Sequence, residues 1–91
     1  MNNIKKFIRQ QKGRKGLKKY EKVYSLVIND IESKIIELEV MINFLGDSLE
    51  KTNIDRMNSR LNSLKELQKL LKNEYAATCL DIKALYGLDL F

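Results

Sequence analysis

An all-α fold is expected here: a long antiparallel helical hairpin with coiled-coil-like stripes, preceded by a short basic helix. Three observations predict it. The 91 residues include no proline and only four glycines, so little in the chain breaks a helix. Apolar residues recur at intervals of three and four, the period of a helix rather than a strand. The one central group of turn signals, Gly46-Asp47-Ser48 with Thr52 soon after, divides the chain into two long segments.

From Asn3 to Gln11, Ile4, Phe7 and Ile8 share one side of a short amphipathic helix, with Lys5, Lys6, Arg9 and Lys12 around the rest. Gly13 and Gly16 then bracket Arg14 and Lys15, which reads as a hinge between this arm and the first long helix. From Leu17 to Leu45, the positions Leu17, Tyr20, Tyr24, Val27, Ile31, Leu38, Met41 and Leu45 form one stripe, interrupted by Lys34. Ile28, Ile35, Ile42 and Leu49 fill the adjacent row. At 1.5 Å per residue this is a helix of about 43 Å. Gly46 is placed to cap it in a left-handed conformation. Thr52 and Asp55, three residues apart, approximate a capping box that opens the next helix. That helix carries Ile54, Met57, Leu61, Leu64, Leu71, Tyr75, Ile82 and Leu85 to about Tyr86, with Gln68 and Thr78 as polar interruptions. The expected organisation is therefore a basic arm over residues 1–16, a helical hairpin over 17–86 and a tail over 87–91. Folding at a turn near residues 46–52 brings Leu17 level with Ile82, so arm and tail belong to the same end.

The stripes are wider than one seam requires. Val23, Ile36, Val40, Phe44, Leu67 and Leu70 lie beside or beyond it. The expectation is a homo-oligomer, a dimeric four-helix arrangement, in preference to a three-helix monomer with the arm packed on the hairpin. Lys34 and Gln68 fall at similar depth from the turn and are expected to act together as a polar register device inside the seam.

The same residues exclude much chemistry. With no histidine, the commonest general base, the His-paired nucleophiles and the His metal sites are missing. The carboxylates Glu32, Glu37, Glu39, Glu66 and Glu74 sit mostly off the apolar stripes, where solvated charge is the usual state. Cys79 is the only cysteine, and its neighbours Ala76, Ala77, Leu80 and Ile82 point to a small buried side chain rather than a reactive thiol. No catalytic residue, metal or cofactor is expected, and the chain reads as a binding protein. No run approaches the roughly 20 apolar residues of a membrane span, and no signal-type apolar segment comes after the basic start. The cytosol is the expected location. Lys-, Asn- and Ile-rich usage without tryptophan suggests a phage or mobile-element source.

Two features can carry binding. The net charge of +5 is local: Lys5, Lys6, Arg9, Lys12, Arg14, Lys15, Lys18, Lys19 and Lys22 face Glu21 alone within residues 1–22. Such a segment neutralises phosphates and releases their counterions, giving sequence-independent affinity for nucleic acid. The alternatives are a solubilising face or a surface for an acidic protein. Gly13-Arg14-Lys15-Gly16 also resembles the GXXG loop of KH nucleic-acid-binding domains, but the strands of that fold are not readable, and a hinge is the reading adopted.

The second feature is the tail, Gly87-Leu88-Asp89-Leu90-Phe91. It resembles the Gln-Leu-Ser/Asp-Leu-Phe peptide by which bacterial replication and repair proteins dock on the sliding clamp, with Gly87 standing where that motif prefers glutamine. The resemblance implies that Leu88, Leu90 and Phe91 fill a pocket on a protein partner, together with Asp89. The alternative is that the apolar side chains fold back and cap the hairpin. In architecture the chain also resembles the small subunits of phage terminases, which use helical hairpins to oligomerise and basic segments to bind DNA. That resemblance implies a DNA-packaging subunit, and a purely structural assembly module is the remaining alternative.

Overall fold

In the computed structural model the described residues are 2–88, with the side chain of Asn2 excepted. Two long helices, α1 (Asn2–Leu45) and α2 (Lys51–Leu85), are joined by a short 3-10 turn at Gly46–Ser48 and pack antiparallel as a helical hairpin. Among the described residues there is no strand.

The expected hinge does not form. Helix α1 runs unbroken through Gly13 and Gly16, so the basic arm is its first third and not a separate element. Two glycines cost a helix about 1 kcal/mol each relative to alanine, which a tertiary contact at one of them offsets below. The turn also differs from expectation. Gly46 does not adopt a positive φ; the chain tightens into the 3-10 turn instead, and the Ser48 hydroxyl donates to the Leu45 carbonyl at 2.9 Å, satisfying one of the orphaned acceptors at the helix end. Helix α2 starts at Lys51, ahead of Thr52. The Glu50 carbonyl accepts from the Asn53 and Ile54 amides at 3.0 and 3.1 Å. Glu50 thus occupies the cap position and Thr52 lies inside the first turn, where it cannot start the expected capping box.

The chain divides into two compact units, Met1–Leu26 with Lys72–Phe91, and Val27–Leu71. In the second unit Ile31, Ile35 and Leu61 form the buried centre, with Leu38, Ile42, Leu64 and Leu71 packed against it; Ile28 is buried as well. Positions 28, 31, 35, 38 and 42 step by three and four in strict alternation, which keeps one narrow face toward α2. Val27, Met41 and Leu45, expected on that stripe, are instead more than two-fifths exposed.

The polar register pair is also revised. Gln68 is in the seam, and its side-chain amide donates to Glu32 Oε1 at 3.2 Å across the two helices. Lys34 is outside it, paired with Asp30 at 2.6 Å one turn back along the exposed side of α1. Counting from the turn gave Lys34 the right depth but not the face: at about 100° per residue it lies well off the line through Ile31, Ile35 and Leu38.

Candidate nucleic-acid interface

In the first unit the seam-facing positions of α1 are Gln10, Gly13, Leu17, Tyr20 and Tyr24, all half-buried or buried. They meet the end of α2 at the register the sequence implies. Tyr75 stacks on Tyr24 with ring centroids 4.0 Å apart and on Tyr20 at 5.5 Å. Beside it, Cys79 holds the Tyr75 hydroxyl above its usual pKa of 10.0, with smaller contributions from burial and from the charge of Glu21. Cys79 is half-buried, less enclosed than its apolar neighbours suggested.

Further along, Gly13 is buried. A Cβ there would stand 2.5 Å from Tyr86 Cβ and 3.3 Å from Leu88 Cδ1. Gly13 is therefore a close-approach glycine against the end of α2, whereas Gly16 has open space around it. The end of α2 is closed by a Schellman motif. Gly87 takes φ 65°, the Leu88 amide donates to the Lys83 carbonyl at 2.8 Å and the Gly87 amide to the Ala84 carbonyl at 3.4 Å. Two α1 side chains complete the cap. The Arg9 guanidinium donates to the Leu85 carbonyl, and the Gln10 amide donates to the Gly87 carbonyl at 3.0 Å. A cation at this end is favoured by the helix dipole.

Of the tail, Leu88 is half-buried against Gly13; Asp89, Leu90 and Phe91 lie outside the described residues. Arg9 likewise has a structural task. Leu85, expected on the seam, is 63% exposed, and Tyr86 is turned inward instead.

The nine N-terminal cations are all exposed. Lys5, Lys6 and Arg9 border a shallow depression completed by Tyr86 and Gly87. Lys12, Lys15, Lys18, Lys19 and Lys22 are gathered differently. At about 100° per residue they centre on the face of α1 diametrically opposite Gln10, Gly13, Leu17 and Tyr24. The seam thus forces them together into a single outward ridge, with Arg14 at its edge. Among the described residues the ion pairs are Lys34–Asp30 and Lys65–Glu39, and neither involves the ridge. Among the described residues no helix is long and apolar enough to cross a membrane.

Sequence reasoning missed the set of Arg9, Gln10 and Gly13 as the dock for the end of α2. Its signal was present in the spacing 10, 13, 17, 20, 24, the same alternation of three and four as the rest of α1, but the apolar trio Ile4, Phe7 and Ile8 drew the eye to the wrong face.

No family model matches this chain, nor does any curated protein or solved structure.

Proposed function

We propose that this chain is a non-enzymatic, cytosolic binding protein that contacts the phosphate backbone of nucleic acid through the cationic face of α1. The observation that carries the reading is the ridge of Lys12, Lys15, Lys18, Lys19 and Lys22, exposed on the side of α1 away from α2. Like charges three and four residues apart destabilise a helix by about 0.2–0.5 kcal/mol per pair. A face that accumulates them over three turns, while Glu21 is the lone acid among residues 1–22, costs stability unless a polyanion is present. Lysines without a base-reading element position a backbone and do not specify sequence. The test is the affinity for mixed-sequence nucleic acid as salt is varied. Binding should be detectable at low salt and fall steeply with rising salt. Affinity that is undetectable, or indifferent to salt, removes the reading.

The proposal extends to two protein contacts. A partner for the tail, the sliding clamp being the first to assay, would engage Asp89, Leu90 and Phe91, and would have to compete with Gly13 for Leu88. A second copy of the chain is favoured by Ile36, Val40 and Phe44, four residues apart on one face of α1 and 60%, 47% and 81% exposed. Sedimentation at micromolar concentration should show at least a dimer; a monomer would remove this part.

A further inference from the structure

We infer that the nucleic acid bound by this face is single-stranded, with Phe7 as a stacking platform for one unpaired base at the end of the lysine ridge. The inference rests on the nucleic-acid reading above and names its substrate class.

Among the described aromatic side chains two rings are more than half exposed: Phe44, 81%, at the turn end of α1 and remote from the lysines, and Phe7 at the lysine end. Tyr20, Tyr24 and Tyr75 are spent on one another in the seam, and Tyr86 packs on Gly13. Phe7 is 55% exposed, flanked by Ile4 and Ile8 at 65% and 48%. The pairing face of this stretch is Gln10 and Gly13; at about 100° per residue Ile4 and Ile8 fall on the opposite side of α1, and Phe7 falls to one side, between that face and the lysines. Along α1, Phe7, Gln11, Lys15, Lys18 and Lys22 fall within one strip at about 100° per residue, with Arg14 on its margin. The strip runs about 22 Å from Phe7 to Lys22, a length suited to a few nucleotides.

A duplex keeps its base faces stacked inside and offers an isolated phenyl ring nothing flat to cover. A single strand offers both groups at once: phosphates for Lys15, Lys18 and Lys22, and an open π face for Phe7. This combination of cations tracking a backbone with an aromatic that stacks bases is the general physics of single-strand binding. Gln11 lies between the two and can hydrogen-bond a base edge or sugar. Charge complementarity with a polyanion, together with an aromatic left uncovered beside it, selects this occupant.

The experiment compares full-length protein, Phe7→Ala, and the triple variant Lys15→Gln, Lys18→Gln, Lys22→Gln on labelled single-stranded and duplex oligonucleotides of the same mixed sequence. Sedimentation and anionic phospholipid vesicles serve as parallel readouts. The wild type should prefer the single strand. Phe7→Ala should lose about tenfold or more of single-strand affinity, as for one stacked base, with its salt dependence and its duplex affinity unchanged. The triple variant should flatten the single-strand salt slope by about two, at roughly 0.7 per phosphate contact. Salt-dependent binding with equal or greater duplex affinity, or with Phe7→Ala without effect, overturns this inference while leaving the electrostatic reading intact. Loss of vesicle binding or of self-association in Phe7→Ala, with single-strand affinity retained, assigns Phe7 elsewhere and also overturns it. Absence of any salt-dependent binding removes both.

Discussion

Replacing Gly13 and Gly16 separately by alanine isolates the contact that fixes the basic segment to the end of α2. Both residues lie inside α1, so both substitutions gain about 1 kcal/mol of helix propensity. At Gly16 nothing lies within 4 Å of the new methyl, and the gain should appear in full. At Gly13 the methyl would sit 2.5 Å from Tyr86 Cβ and 2.9 Å from Tyr86 Cγ. Tyr86 Cβ is held by its backbone, so α1 and the capped end of α2 must part by about an ångström. Overpacking of this kind costs about 1–3 kcal/mol. Propensity cancels between the two variants, so their difference reports the contact alone. For a chain of this size about 1–3 kcal/mol corresponds to a separation of at least about 4 °C in melting temperature. Thermal unfolding by circular dichroism measures it. Gly16→Ala should melt above the wild type and Gly13→Ala clearly below Gly16→Ala. If the two variants melt together, Gly13 does not pack on α2 and the close approach at this end is refuted.

Gln68→Leu should raise the melting temperature, since it extends the seam between Leu64 and Leu71 at the cost of one half-buried hydrogen bond to Glu32, whereas Lys34→Leu, which breaks only an exposed pair with Asp30, should shift stability by no more than about 0.5 kcal/mol. Ending the chain at Tyr86 removes the left-handed Gly87 and the Leu88 cap and should lower the melting temperature by several degrees below that of a chain ended at Leu88, which keeps the cap; loss of partner association in the second truncation would place that function in Asp89–Phe91. For Tyr75, the folded pKa lies above the unfolded 10.0, so folding favours the neutral phenol. That contribution is complete below pH 10 and is lost as pH rises through the folded value, and Tyr75→Phe should blunt the alkaline fall in denaturant stability that the wild type shows.

Much of the fold was legible because it rests on periodicity. The alternation of three and four through Ile28, Ile31, Ile35 and Leu38, the absence of proline and the central turn are all local in sequence, and level pairing of the two segments then gives the register that sets Tyr24 beside Tyr75 and Gly13 beside Tyr86. What failed were choices that tertiary contact decides. Gly13 and Gly16 look alike in sequence, and local propensity reads both as breakers; only the approach of Tyr86 shows that one glycine is there for space. Lys34 and Gln68 differ by which way the helix faces at similar depth, which counting from the turn ignores. Gly46 takes a right-handed turn because Ser48 supplies the hydrogen bond that a left-handed cap would otherwise provide. For the candidate interface, the cations were obvious from composition. Their convergence on one face was not, since it depends on which side of α1 meets α2, and that is set by Gln10, Gly13 and Leu17 rather than by the more apolar Ile4, Phe7 and Ile8.

Whether nucleic acid binds at the α1 ridge or simply answers to net charge is decided by matched charge removal. One variant replaces Lys12, Lys15, Lys19 and Lys22 by glutamine; its control replaces Lys51, Arg56, Arg60 and Lys69, four exposed cations of the other unit, and so changes net charge equally. The slope of log affinity against log salt is measured for both on one mixed-sequence oligonucleotide. The ridge variant should lose about three units of slope, at roughly 0.7–0.9 per phosphate contact, and most of its low-salt affinity, with the control close to wild type. Equal losses in the two variants would mean that binding tracks net charge, and the ridge would not be the binding face.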